Sequence, residues 1–272
     1  MGGHELFKDM KTFRAIGMAM LAVLLCVNLA SCSSSEDDPT EEPEEGGVVV
    51  SGKRITKIVG MSKNGDSEIY TFKYDNKGRL IEATELCKEN EYEETYTYNF
   101  TWGDDFIIFD ESWSNKTYTK ILTLKNGLVQ NVGDSDFFTY NKTNRFVSTE
   151  NGYSYTTTAV WDDDKLMSIF EAREGDYNIR LTYGTTCEKG YFPFIATLIG
   201  GYGCELLFVA HPNIAGMRTT QLPSSVIITN IYGNKTSNTY TYAFAFDKKG
   251  YITEMTVKGT DGSTWIYTLT WE

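Results

Sequence analysis

Few side chains in this sequence are placed where they could do chemistry, and the first is a thiol. Cys32 follows Leu29, Ala30 and Ser31 at the end of an apolar run and stands directly before a polar, acidic stretch. A cysteine after a small residue at the exit of a signal helix is an acylation site: the chain is cut before it, and Cys32 becomes a lipidated first residue of the kind that carries palmitate. Past it there is one histidine, His211. A multi-histidine zinc or iron site is therefore excluded, and any Ser-His-Asp arrangement must use His211, with Ser224 and Ser225 nearby in sequence but no Gly-x-Ser-x-Gly elbow. Asp162, Asp163 and Asp164 lack the spacing of a calcium loop and read as a solvated turn. Glu82 and Glu254 follow equivalent hairpins, which leaves room for an acid/base pair if they face one another. No phosphate loop or dinucleotide fingerprint is present, so no cofactor or metal is expected and no catalytic residue is assigned. What remains is aromatic: Trp113 with Tyr118, or Trp161, could stack on a sugar ring or an apolar small molecule.

The segment before Cys32 divides as a secretory signal does. Lys11 and Arg14 form a charged n-region, and Ala15 to Ala30 is an apolar stretch of 16 residues interrupted by Gly17 and Asn28. A membrane span needs about 20 residues, so a single transmembrane anchor is the poorer reading. Met10 reads as the true start, and Cys26, without a small residue before it, as filler. Residues 1–31 are thus expected to be a signal peptide and 32–47 the lipidated cysteine with an acidic linker. Glu36, Asp37, Asp38, Glu41, Glu42, Glu44 and Glu45 repel one another and extend that linker. One acyl chain holds a protein to a bilayer only reversibly, whereas two or more hold it essentially permanently.

Charge narrows the partners. The chain carries −12; losing residues 1–31 removes three cations and two anions, which leaves −13, and the seven linker carboxylates account for all but about −6 of it. A net-acidic body opposes nucleic acid as a partner, because phosphate binding needs clustered Lys and Arg. Cys87, Cys187 and Cys204 remain, an odd number for an oxidising compartment. A Cys187–Cys204 bridge is possible on this count, with buried unpaired thiols as the default.

From Val48 to Glu272 the composition turns to Tyr, Thr, Phe, Trp and Asn, long enough for one all-β domain. Tyr96, Tyr98, Phe100 and Trp102 alternate with Thr95, Thr97, Asn99 and Thr101, giving one aromatic and one polar strand face. The pattern recurs at Tyr70, Phe72 and Tyr74; at Tyr177, Ile179, Leu181 and Tyr183; at Tyr240 to Phe246; and at Trp265 to Trp271. Turn signals from Gly65 to Gly184 fall about 11 residues apart, the beat of an antiparallel meander. Three turns resemble one another: Asp75 to Gly78, Asp162 to Lys165 without the glycine, and Asp247 to Gly250. The fold class expected is all-β: repeated hairpins closed or nearly closed into a barrel, since closure removes exposed edges, with a two-sheet sandwich as the alternative. The aromatic face is taken as the core. Tyr191 to Ser225 breaks the pattern with Pro193, Pro212, Pro223 and four glycines around Leu206–Ala210, and reads either as a lid or plug across the sheet or as a strand with an ordinary crossover loop.

The lipobox, acidic tail, Tyr74-Asp75-Asn76-Lys77-Gly78-Arg79-Leu80 hairpin and the Leu222-Pro223-Ser224-Ser225 segment resemble a family of bacteroidete lipoproteins of unknown function with a porin-like β fold. Ser33 to Asp38 is similar to the acidic signal that such lipoproteins carry for the cell surface. The resemblance implies an outer-membrane, lipid-anchored protein facing outward, and transfers no residue except Cys32. The function expected is a non-enzymatic ligand-binding or interaction domain. The alternatives are an outer-membrane pore, whose strands also alternate but with the apolar face outward, and a hydrolase using His211. Aromatics along whole strands, rather than in two interfacial girdles, favour a packed, soluble core.

Overall fold

The computed structural model describes residues 52–89, 91–134, 136–151, 155–172, 177–199, 203–231 and 237–272; the signal segment, Cys32 and the acidic linker lie outside them. The strands are β1 (Ile55–Ser62), β2 (Ser67–Tyr74), β3 (Leu80–Glu89), β4 (Tyr92–Trp102), β5 (Phe106–Trp113), β6 (Lys116–Lys125), β7 (Leu128–Val132) and β8 (Asp136–Tyr140), followed by β9 (Phe146–Asn151), β10 (Tyr155–Asp162), β11 (Lys165–Ala172), β12 (Tyr177–Thr186), β13 (Gln221–Asn230), β14 (Ser237–Phe246), β15 (Ile252–Gly259) and β16 (Thr264–Trp271). Each pairs antiparallel with the next, and β1 pairs with β16, so the sheet is a closed barrel and not a sandwich. Both edges of the sheet are consumed within Ile55–Trp271, so this stretch completes its own ladder of hydrogen bonds.

The turns bear out the repeat and correct its membership. Asp75 Oδ1 accepts from Lys77 N and Arg79 N at 2.9 Å each, and Asp247 Oδ1 from Lys249 N at 2.8 Å and Tyr251 N at 3.0 Å. Gly78 and Gly250 supply the positive φ that releases the next strand. The third copy is Asn141–Asn144, where Asn141 Oδ1 accepts from Thr143 N and Arg145 N and Asn144 takes φ 59° in place of glycine. Asp162–Lys165 is a tighter two-residue hairpin with Asp163 at φ 55°. Gly184 marks no turn: it lies inside β12 at a bulge, and the strand runs on to Thr186.

The alternating rings point inward. Tyr70, Phe72, Tyr96, Tyr98, Phe100, Tyr240, Tyr267, Leu269 and Trp271 are buried. Phe246 departs from its set: a bulge between Ala245 and Phe246 turns it out to solvent. Hydroxyl ladders cover the outside, as in Thr71–Thr84 at 2.5 Å, Thr139–Ser148 at 2.7 Å, Thr182–Ser225 at 2.7 Å and Thr229–Ser237 at 3.0 Å.

One rim is latched by a repeated bond. Tyr74 Oη donates to Ile55 O at 2.8 Å, Trp102 Nε1 to Leu80 O at 2.7 Å, Tyr140 Oη to Val129 O at 2.5 Å, Trp161 Nε1 to Phe146 O at 2.6 Å, Tyr183 Oη to Leu166 O at 2.7 Å and Trp271 Nε1 to Ile252 O at 2.6 Å. Each ring stands near the end of an even-numbered strand and reaches the start of the strand before it. In four of the six strands, a register shift at the ring or beside it helps aim the side chain along the rim: Lys73/Tyr74, Thr139/Tyr140, Val160/Trp161 and Thr182/Tyr183.

A barrel of about 16 strands is wide enough for an aqueous channel, and here the Gly/Pro-rich insertion enters from the latched rim and occupies that space. It runs from Cys187 to Thr220, its last expected residues, 221–225, belonging instead to β13. It forms α1 (Ile195–Ile199), α2 (Glu205–Ala210) and a 3-10 turn at Pro212–Ala215, and the apolar side chains of these three elements are buried. Phe194 meets Tyr267 at 5.2 Å, Tyr191 meets Trp271 at 5.4 Å, Phe208 meets Phe138 at 5.9 Å and Phe192 meets Tyr242 at 6.0 Å. A ring of that size removes about 150–250 Å² from water, on the order of 4–6 kcal/mol each at about 25 cal/mol per Å² before ordering entropy. The insertion is a plug: its rings pack against inward rings of the strands, and Tyr70 and Tyr98 meet the buried carboxylates Glu68 and Glu85 inside the barrel.

Candidate functional site

At the rim opposite the plug's entry, the β5–β6 hairpin turns through Ser114 and Asn115, both at positive φ, and brings Trp113 and Tyr118 together. Their rings stack at 5.9 Å and 22°. Strand pairing sets Tyr96 beside them, 6.2 Å from Trp113 and tilted by 44°, so Trp113 lies between two tyrosines. Tyr118 is the open member, 46% exposed. Lys116 Nζ lies 5.8 Å from the Trp113 ring centroid, and Tyr96 Oη donates to Glu94. Beneath them, Gly203 of the plug lies against Lys120 Nζ and Glu111 Oε2. The arrangement offers a ring face for stacking, carboxylates that accept hydroxyl protons and ammonium groups that donate. The sequence marks Tyr96 only as a core ring and does not mark Lys116, although the β4–β5 register, with Thr97 opposite Ser112, places Tyr96 next to Trp113.

Trp161 is not part of this group. It sits at the latched rim, its indole N–H committed to Phe146 O and its ring beneath the Arg145 guanidinium at 5.2 Å. The aromatic residues considered as alternatives from sequence therefore separate into two sites at opposite ends of the barrel.

His211 has a structural post. It is 2% exposed at the end of α2, and its Nε2 accepts the Leu80 backbone N–H at 3.0 Å. Trp102 at 5.5 Å and Tyr74 at 5.8 Å meet the imidazole edge-to-face. Burial, joined by the nearby Arg54 cation and opposed by Asp75, holds its pKa at about 4. Ser224 and Ser225 are not brought to it: both hydroxyls bond to Thr182 on β12, Ser225 Oγ at 2.7 Å from Thr182 Oγ1 and Ser224 Oγ donating to Thr182 O at 3.2 Å.

Glu82 and Glu254 do not face one another. Glu82 pairs with Lys73 at 2.7 Å on the outer face. β3 and β15 are separated by β2, β1 and β16, about 19 Å along the sheet at about 4.8 Å per strand. Asp164 of the Asp162–Asp164 run accepts from Thr220 N and Oγ1 at 3.3 and 3.1 Å, and no group of three metal-ligating side chains occurs among the described residues. Cys187 and Cys204 are separate buried thiols and do not form the bridge considered from sequence. Burial pushes the Cys187 thiol up to about 11 and Cys204 well above its ordinary value.

No protein-family model matches the chain, and no curated protein is significantly similar to it. Among solved structures, a porin-like protein from Bacteroides uniformis superimposes with a TM-score of 0.59 at 15% identity, over 80% of this chain and 96% of that one. A porin-like protein from Bacteroides vulgatus shares 11% identity over 81% of this chain and 99% of that one, but at a TM-score of 0.38 the superposition is too loose to bear on the fold. Likeness at such low identity speaks to architecture alone: this chain has a porin-like β-barrel fold, as the resemblance of its hairpins implied.

Proposed function

We propose that the chain is a lipid-anchored, non-enzymatic binding protein at the outer membrane, tethered through acylated Cys32, whose plugged barrel presents the Trp113–Tyr118 platform to a glycan. The observation that carries this reading is the stacked pair with Tyr118 open to solvent and Trp113 stacked on its other side. Sugar rings stack on such faces, while groups such as Glu94 and Lys116 bond their hydroxyls. In this arrangement Tyr118 touches the ligand and Trp113 supports it.

Two observations favour a binding protein over a pore. The plug and inward rings occupy the space through which solutes would pass. The outer face carries Asp110 and the exposed Arg180 in mid-strand, amid threonine ladders. On the lipid face of a barrel an arginine at the midplane costs about 2–4 kcal/mol, so Arg180 weighs against a lipid-facing wall at that position.

Glycan-array screening of the purified protein, followed by titration of the best hit, tests the reading. Binding that falls at least about 10-fold in Tyr118→Ala, with melting unchanged in that variant, and that also weakens in Trp113→Ala, is expected. An array with no hit, or a hit indifferent to Tyr118, refutes it.

A further inference from the structure

The latched rim holds a cleft of about 310 Å³ between the β8–β9 turn, the β10–β11 turn and the outgoing end of the plug. Its volume lies at the lower end of the range for small-molecule sites, about 300–1,000 Å³. Arg145, Arg218, Asp163, Asp164, Asn213 and Thr143 all contribute to the lining, which therefore holds hydrogen-bonding groups of both signs.

The two guanidinium groups are positioned but not neutralised. Arg145 lies on the Trp161 ring and donates through Nη1 to Arg218 O, and Arg218 donates through Nη2 to Gly190 O at 3.1 Å. Each thus spends one N–H on a neutral carbonyl, from a planar group that offers five. Neither forms an ion pair among the described residues, although Asp163 and Asp164 line the same cleft. Asp164 is fixed by its bonds from Thr220, and Asp163 stands at the hairpin tip.

We propose that this cleft is a second binding site, for a saccharide that carries a carboxylate. The ligand's carboxylate sits against Arg145 and Arg218, and its hydroxyls donate to Asp163 and Asp164 and bond to Asn213 and Thr143. An aprotic inorganic anion such as sulfate would have no donor for the two aspartates, and phosphate brings at most two hydroxyls against the several of a sugar. A neutral sugar would leave the guanidinium pair unmatched. Planar guanidinium groups suit carboxylates through paired, charge-assisted bonds. The proposal stands on the latched rim alone and does not rest on the Tyr118 platform at the other end.

Calorimetric titration of the full chain in detergent with digalacturonate tests it, with galactobiose, acetate and inorganic phosphate as comparisons. Digalacturonate is expected to bind with one-to-one stoichiometry and more tightly than all three. Arg218→Gln and Arg145→Gln should each weaken it by about 10- to 100-fold, the range for charged hydrogen bonds. Arg145→Lys, which keeps the charge but loses the planar fork, should fall between, and Asp163→Asn should narrow the preference over acetate. Thermal melting unchanged in Arg218→Gln or in Asp163→Asn, a residue type suited to the positive φ there, separates lost binding from lost folding. Absence of digalacturonate binding overturns the proposal, as does binding indifferent to both arginines or matched by phosphate or acetate. If Tyr118→Ala abolishes the binding and the arginine variants do not, the ligand belongs to the other rim and this site is refuted while that one stands.

Discussion

Lowering the pH should weaken the docking of the plug through one residue, His211. Folded, its imidazole is neutral and accepts the Leu80 N–H through Nε2, with a pKa of about 4 against an ordinary value of 6.5. The unfolded chain therefore binds the proton more readily than the folded one, and acid favours unfolding. The contribution is fully present above pH 6.5 and is lost as pH falls towards 4. At about 1.36 kcal/mol per unit the whole loss is about 3 kcal/mol, of which about 1.4 is gone near pH 5.5 and about 2.5 near pH 4.5. His211→Gln keeps an acceptor for Leu80 N–H and cannot titrate, so urea unfolding followed by tryptophan emission should give two curves of stability against pH that diverge through this window. Other acid-sensitive groups cancel in the difference. Asp247, held below the carboxylate range by the N–H groups of Tyr251 and Lys249, contributes above pH 3.8 and loses that only below it. Asp75 behaves alike, its slight desolvation outweighed by the Arg79 and Lys77 bonds. Parallel curves for the two proteins from pH 8 to 4.5 would refute the assignment of His211 as a buried neutral acceptor.

Further outcomes can be checked separately. Gly216→Ala should lower stability by about 1–3 kcal/mol for the left-handed backbone alone, and by more because a Cβ there lies 2.4 Å from Asn144 O and 2.7 Å from Phe146 N; urea melts measure it. Cys187 and Cys204 should resist iodoacetamide at pH 8 and react once urea unfolds the barrel, since burial keeps both protonated; mass spectrometry counts the adducts. Cys32→Ser should move the protein from the membrane to the soluble fraction and abolish labelling by a palmitate analogue, because the acyl chains are the proposed hold on the bilayer.

The interplay of local and long-range signals is clearest at the hairpins. Period-two aromatics made the strands legible, because a strand buried on one face must alternate wherever it ends up. The Asx turns were equally local: Asp75 and Asp247 bond N–H groups two and four residues on. The Asn141 turn uses the same geometry with asparagine and an αL Asn144, and the aspartate-and-glycine pattern passed over it for that reason. Gly184 misled in the opposite way, since a glycine also suits a bulge. The latches were half-visible, as aromatic residues ending strands just before a turn; their carbonyl acceptors, 11–22 residues away, depend on register.

For the candidate sites the division follows the distance in sequence over which contacts are made. The Trp113–Tyr118 pair spans one hairpin and could be chosen from sequence. Arg145, Arg218 and Asp163 converge only because the plug leaves the barrel beside two turns, and Ser224 and His211 stay apart though only 13 positions separate them. The alternating pattern and turn residues alone determined an antiparallel all-β meander with an apolar, Gly/Pro-rich interruption. Closure of β1 on β16, the direction of the rings and the entry of the plug were decided by tertiary structure. The reason is physical: alternation says that one face avoids water, but only the closed sheet and the segment packed within it determine which side that face is on.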